Sequence, residues 1–429
     1  MLWLSVGILL VYAFSVCVPV LYRIGCGDGP PNDACCVAVT QMFEPMYGAV
    51  IMRIAHVVTS LSMGGAQMML YKLLSAIDLK QFDPAVISLT SDGALHERFS
   101  KLGIPVYSVG MHPGVPTATA IGRLISTIRA VNPDLIQGWQ YHGNLAALFA
   151  QIFLRPRVPV LWNIRHSINN LGDEKRMTAV VVKLGAWLSH MPECIIYVAQ
   201  TSALQHSALG FRSKKQVVLP NGFDMQCFIP SDQARRQLRA AFGLSPSTII
   251  IGKIARFHSM KDHATFLRAA AQLSCFHPGV HFLLVGQKAE RTNDELLSLI
   301  NELNLGTKIH LLGECDNIQH IIAALDIVTS ASAYGEGFPN IIGEAMACGV
   351  LCVATDVGDS ALIIGDLGQI VPPKQPQALS EAWSKFIGMG QAARVTLGLK
   401  ARHHIEEHYS LTSIVNRYAQ LYKEILNPF

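Results

Sequence analysis

The strongest constraint on this chain is a repeated alternation. From Met52 onward, short apolar runs rich in β-branched residues are followed by polar or glycine-rich turns and then by stretches of helical length. In the first half the runs are RIAHVV, PAVISL, DLIQGW, VPVLWNI and CIIYVA; in the second they are TIIIGKIA, HFLLVG, KIHLLG, DIVTS and LCVAT. Runs apolar on both faces must be covered on both faces, and parallel strands with helices above and below satisfy that requirement. Two such series predict an α/β chain with two doubly wound domains and a cleft between them. Ligands of open α/β sheets sit outside the carboxyl ends of the strands, so that is where chemistry is expected.

The break falls within VVLPNGFDMQCFIP, residues 217–230, where a strand ends in Pro-Asn-Gly and a polar, Arg-rich helix follows. At the far end, Leu411, Ile414, Val415, Tyr418, Leu421, Tyr422 and Ile425 recur at helical spacing, with Ser410 placed to cap the start.

Composition agrees with large cores. Of 429 residues, 50% are hydrophobic and 15% charged, which excludes bulk disorder. The net charge of +4 comes without a concentrated basic face, so no nucleic-acid partner is expected. An anionic small ligand needs only two or three well-placed cations. The ten cysteines contain no CxxC pair and read as reduced, buried thiols.

Residues 1–51 form a hydrophobic extension. Leu2–Tyr22 is uncharged and matches the ~20 residues of a spanning helix, while Arg23 follows rather than precedes it. Two readings stand: a membrane anchor, or an upstream stretch before a true start at Met52. The second is favoured.

Three clusters carry the chemistry. In GEGFPNIIGEAMACG, Glu336 and Glu344 are separated by seven residues. Pro339 suits the first position of a helix running to Cys348, and Gly349 suits its end. Amides at Gly337, Phe338, Asn340 and Ile341 would point from the helix mouth toward a phosphate. Carboxylates repel phosphate, so the two glutamates are expected on neutral hydroxyls, as a sugar presents. In GKIARFHSMKDH, Arg256 and Lys261 follow a strand and can straddle a diphosphate. Charge-assisted hydrogen bonds at about 1.5–3 kcal/mol each outweigh a helix dipole at about 0.3–1 kcal/mol, so these cations should carry most of the leaving-group charge. In SLSMGGAQ, Gly64 and Gly65 allow backbone to approach a ligand, yet the stretch is not GxGxxG, which counts against a dinucleotide site. His142 in GWQYHGN and His166 in WNIRHS follow successive strands and are expected to face the cleft.

From Met52 to the C-terminus, these clusters in this order resemble the retaining glycosyltransferases of family 4, of GT-B architecture and bacterial surface-polysaccharide type. The Glu–seven–Glu element is the most specific likeness; LPNGFD, FLLVG and TDVGDSALIIGDLGQIVPP also fall in place. The resemblance implies transfer of a sugar from a nucleotide-sugar, a UDP-sugar before a GDP-sugar, with retention and without a metal or other cofactor. It implies that Arg256 and Lys261 hold the diphosphate, Glu336 the sugar hydroxyls and Glu344 the ribose. Gly65 would lie near the distal phosphate, His166 at the donor sugar and His142 toward the acceptor. The acceptor would be a glycan or lipid-linked sugar in capsule or lipopolysaccharide synthesis, with the enzyme cytoplasmic and at the inner face of the membrane. The implied domains are residues 52–220 on the acceptor side, 221–405 binding the nucleotide-sugar, and a crossover helix at 406–429. Gln287 departs from the acidic-glycine turn common after FLLVG. The rivals are a GT-B sugar-nucleotide epimerase and an inactive scaffold subunit of a polysaccharide assembly complex.

Overall fold

A computed structural model describes residues 51–90, 93–112 and 117–427. The Leu2–Tyr22 segment and the rest of residues 1–50 lie outside that range.

Two parallel sheets organise the chain. The first contains β1 (Met52–Val58), β2 (Phe82–Ser88), β3 (Val106–Ser108), β4 (Leu135–Trp139), β5 (Val160–Ile164), β6 (Cys194–Tyr197) and β7 (Gln216–Val218), in the order β3-β2-β1-β4-β5-β6-β7. The second contains β8 (Ile250–Ile254), β9 (His281–Val285), β10 (Ile309–Leu311), β11 (Ile327–Ser330), β12 (Leu351–Thr355) and β13 (Gln369–Val371), in the order β10-β9-β8-β11-β12-β13. All ten apolar runs are strands. The short β3 and β13 escape a reading by composition, being three residues each and only partly buried.

Burial explains the sequence pattern. β4, β5 and β12 are buried at every position, because helices cover both faces. Each sheet reverses direction of growth once, between β1 and β4 in the first and between β8 and β11 in the second. Such switch points leave a crevice at the strand ends.

The lobes are tied by the chain's last segment. The helix Gln391–Tyr409 packs on the second lobe, and Gly398 there approaches Gly349 so closely that a Cβ would stand 2.0 Å from its carbonyl oxygen. The backbone then crosses at Ser410, where Phe223 N donates to Tyr409 O (2.9 Å) and Leu411 N to Phe223 O (2.8 Å). Ser410 caps the next helix by accepting from Ser413 N. That helix, Leu411–Leu426, buries Ile414, Val415, Tyr418, Leu421 and Tyr422 in the core of the first lobe. Its two tyrosines satisfy buried polar groups there: Tyr418 OH accepts from Asn163 Nδ2 (2.9 Å) and Arg165 Nη1 (3.0 Å), and Tyr422 OH donates to Gln137 Oε1 (2.5 Å).

The thiols only partly follow expectation. Cys194, Cys348 and Cys352 are buried, whereas Cys227 and Cys275 are exposed, because they sit on a loop and on the outer side of a helix.

Candidate active site

The second lobe brings two of the three charged clusters together. β8 ends at Ile254, and the loop after it carries Arg256 before a single turn at Ser259–Lys261. Asp262 closes that turn with φ 46° and caps the helix His263–Phe276 through Thr265 N (2.9 Å). Lys261 is thereby fixed at the crevice. From the neighbouring strand, β11, the loop 331–339 delivers Glu336, 9% exposed. Lys261 Nζ donates to Glu336 Oε1, and Ser332 Oγ donates to the same oxygen at 2.6 Å. Arg256 is exposed and makes no side-chain hydrogen bond or ion pair among the described residues.

The helix after Glu336 runs from Asn340 to Ala347, one residue shorter at each end than expected. Pro339 is the cap rather than the first helical residue; its ψ of 99° is extended. Gly349 takes φ 70°, as a helix-terminating glycine does. The amides of Gly337 and Phe338 find no acceptor among the described residues. Glu344 is half-buried, and its carboxylate has no hydrogen-bond partner among the described residues. Burial raises its pKa, opposed by the charge of Lys72 on the first-lobe helix Gly65–Ala76. Lys72 of the first lobe is thus within electrostatic reach of Glu344.

The first lobe supplies the other wall. His166 follows β5 and shares a hydrogen bond with Glu174 (Nε2 to Oε1, 2.8 Å). Ser167, beside it, is buried with no partner for its hydroxyl. A Cβ on Gly337 would lie 2.5 Å from Ser167 Oγ, so only glycine allows this approach of the two lobes. His142 is exposed in the first turn of the helix Gln140–Gln151 and makes no hydrogen bond; its neighbour Tyr141, not His142, packs edge-on against His166. Gly64 caps the start of the helix Gly65–Ala76, and a Cβ on it would meet the Gln67 side chain at 2.6 Å; Gly65 is open. The Lys261, Glu336, Gly337 and His166 region is therefore one neighbourhood, joined through Ser167. His142 lies one residue from Tyr141, whose ring packs on His166.

Several contributors had no motif to announce them. Asp359 bridges the lobes, its carboxylate accepting from Gln200 N (2.7 Å), Thr201 N (3.0 Å) and Thr201 Oγ (2.8 Å) at the start of the first-lobe helix Gln200–Ala208. A carboxylate suits that helix end, where free amides and the dipole favour negative charge. Lys253 lies within β8, 1% exposed and without a hydrogen bond, its ammonium 6.0 Å from the centre of the Phe266 ring. Burial and the Lys261 charge lower its pKa to about 7, while Asp262 and Glu336 act to raise it. The lone cation inside the apolar run TIIIGKIA was its only trace in the sequence. The Gln287 carbonyl accepts from Phe257 N (2.8 Å), stitching the loops after β8 and β9 together. A groove of about 1120 Å³ opens beside them, lined by His258, Asp262, Lys288, Glu290 and Asn293, but it borders neither Lys261 nor Glu336. Among the described residues, no group of three or more His, Cys, Asp or Glu side chains is arranged to hold a metal ion.

Comparison with known proteins gives a consistent answer. Residues 63–227 match the Glycosyltransferase Family 4 model, and residues 247–388 match the model for Glycosyl transferases group 1. EpsF of Bacillus subtilis (strain 168), named as a glycosyltransferase, is 32% identical over 44% of this chain and 47% of its own length. The N-acetyl-alpha-D-glucosaminyl L-malate synthase of Bacillus anthracis is 27% identical over 76% of this chain and 84% of its own length. The chain thus spans about half the length of the first of these relatives and most of the second. The fold matches that of Anabaena Alr3699/HepE, solved in complex with UDP, with a TM-score of 0.76 at 23% identity over 87% of this chain and 100% of that one. Two Rossmann-like lobes in the GT-B arrangement, matched in order by these two models, show that the chain belongs to the family 4, group 1 glycosyltransferases.

Proposed function

We propose that the protein transfers a sugar, with retention of configuration, from a UDP-sugar to a glycan or lipid-linked acceptor in surface-polysaccharide synthesis. The observation that carries this reading is the Lys261–Glu336–Ser332 cluster, with unpaired Arg256 nearby, at the strand ends of the second lobe. A sugar joined to a diphosphate has an anionic end and a hydroxyl-bearing end. Lys261 and Arg256 suit the first, Glu336 the second, and the Lys261–Glu336 pair holds the two kinds of contact side by side. Glu344, half-buried and unpartnered, suits the ribose hydroxyls, and the unclaimed amides of Gly337 and Phe338 suit phosphate oxygens. UDP in the Anabaena neighbour supports uridine as the base.

As the bond to the sugar breaks, charge grows on the leaving phosphate, and prearranged cations lower the barrier. Residues 221–405 form the donor side in this reading and residues 52–220 the acceptor side, with His166 toward the donor sugar, Gly64 and Gly65 near the distal phosphate, and His142 toward the acceptor. The crossover at Ser410 and the Asp359 bridge are the points about which the lobes would close.

Incubation of the purified protein with labelled nucleotide-sugars and candidate acceptors tests the reading. Transfer supports it. Release of an epimerised donor would establish the epimerase alternative, and donor binding without turnover the scaffold alternative.

A further inference from the structure

The first-lobe helix Gln200–Ala208 has no cap of its own. Ala199, the residue before it, offers no side-chain acceptor, and alanine ranks poorly at that position. The second lobe supplies the cap instead. The Asp359 carboxylate, 5% exposed, accepts from the amides of Gln200 and Thr201 and from the Thr201 hydroxyl. A cap lent by another lobe does more than finish a helix: it fixes two bodies relative to each other.

Each side of this contact is tied to a wall of the crevice. On the second lobe, the Asp359 amide donates to the Gly337 carbonyl (2.8 Å). Gly358, just before it, takes φ 65°, and a Cβ there would stand 2.6 Å from the carbonyl oxygens of both Glu336 and Gly337. The turn bearing Asp359 therefore packs directly on the backbone that carries Glu336. On the first lobe, Ser202 Oγ donates to the His166 carbonyl (2.6 Å), and Gln205 Oε1 accepts from Ile168 N (2.9 Å). One helix thus holds the backbone on either side of Ser167, the residue that Gly337 approaches. The contacts close a ring that runs from Gly337 through Asp359, the helix and the His166 loop, then back to Gly337 at Ser167.

We propose that Asp359 is a positioning residue for sugar transfer. Acting through the helix Gln200–Ala208, it holds the His166 loop of the first lobe in register with the Glu336 loop of the second. The kinetic consequence rests on the transfer reading above; the mechanical link between the two loops does not. The chain crossing at Ser410 still joins the lobes when the aspartate is removed, so its loss loosens register without separating them. Register matters to rate, because misplacing reacting groups by about 1 Å can cost about a hundredfold.

The link is read first by hydrogen exchange in the full-length protein. Asp359→Ala is expected to speed exchange at the Ile168 amide about tenfold, although that amide bonds to Gln205 and not to residue 359. Thr201→Val deletes one of the three donors and should give the same change at about threefold, with the melting midpoint unchanged. In the transfer assay, Asp359→Ala should lower kcat about ten- to a hundredfold and leave the donor KM within about twofold, the mark of lost positioning. Asp359→Asn keeps one acceptor oxygen and should recover most of that loss. Ser202→Ala breaks the same ring at His166, so the double variant with Asp359→Ala should be no slower than the slower single one. Unchanged exchange at Ile168 would overturn the link. Near-native kcat in Asp359→Ala, a rise in donor KM alone, or losses that multiply in the double variant would overturn the positioning role. A wild type that transfers no sugar would defeat the proposed function and the positioning role with it, and the Ile168 exchange would still decide the link.

Discussion

The two lobes share one architecture and differ in how some of their polar residues are committed. In the first lobe, Gln137, Asn163 and Arg165 are each engaged by Tyr418 or Tyr422 of the terminal helix. In the second, among the described residues, Arg256, Glu344 and Lys253 have no hydrogen-bond or ion-pair partner, and the side chains of Lys261 and Glu336 pair only with each other and Ser332. Leaving buried or half-buried charge uncommitted costs stability. The contrast is local to the crevice: the terminal helix engages these first-lobe groups, while these second-lobe charges stay available. Elsewhere the second lobe also spends charge on its own fold, as Arg235 and Arg239 do on Asp326.

That division can be broken at graded points. The largest effect is expected at the paired charges. Lys261→Ala or Glu336→Ala should lower kcat by about a hundredfold or more, the loss typical of removing one preorganised contact to developing charge. Circular dichroism should show the fold retained, and near-native turnover in either variant would end the assignment. Next is Glu344→Gln. If its carboxylate accepts from hydroxyls, a charged hydrogen bond of about 1.5–3 kcal/mol is lost, so KM for the donor should rise about ten- to a hundredfold. A change in kcat with KM unaltered would contradict a role in donor binding.

In the first lobe the sign of the experiment reverses. Tyr418→Phe removes the oxygen that serves Asn163 and Arg165 and should cost about 1–3 kcal/mol of stability in denaturant titration, with donor KM unchanged. A shift in KM without a change in stability would erase the distinction between the lobes.

The last contrast is at Lys253, and it depends on pH. Its folded pKa of about 7 lies below the 10.5 of an exposed lysine, so between those values the unfolded chain holds a proton that the folded chain lacks. Native stability at this position therefore rises with pH from about 7 to about 10.5. Lys253→Met should be the more stable protein at neutral pH and below, and its advantage should shrink as the pH is raised. Melting curves at a series of pH values read this difference, and a constant or growing advantage would refute it.

Much of this arrangement was legible before any coordinates. Ten apolar runs became strands because a parallel sheet covered on both faces demands local hydrophobicity, which is written residue by residue. The Glu336–Glu344 and Arg256–Lys261 elements were visible because each lies within one strand-to-helix connection. Asp359 was not visible: its partners Gln200 and Thr201 lie some 158 residues away, and nothing local marks an aspartate that caps another lobe's helix. Lys72 and Ser167 escaped for the same reason.

The chain by itself determined the layered fold, the two-lobe division and the residue types that suit a sugar diphosphate, since these follow from periodicity and local spacing. Only the tertiary structure decided which charges were spent and which were free. It joined Lys261 to Glu336, set Ser167 against Gly337, and left Trp187 in solvent. Pairing and exposure depend on distances between segments far apart in sequence, and close packing of two lobes around one crevice sets those distances.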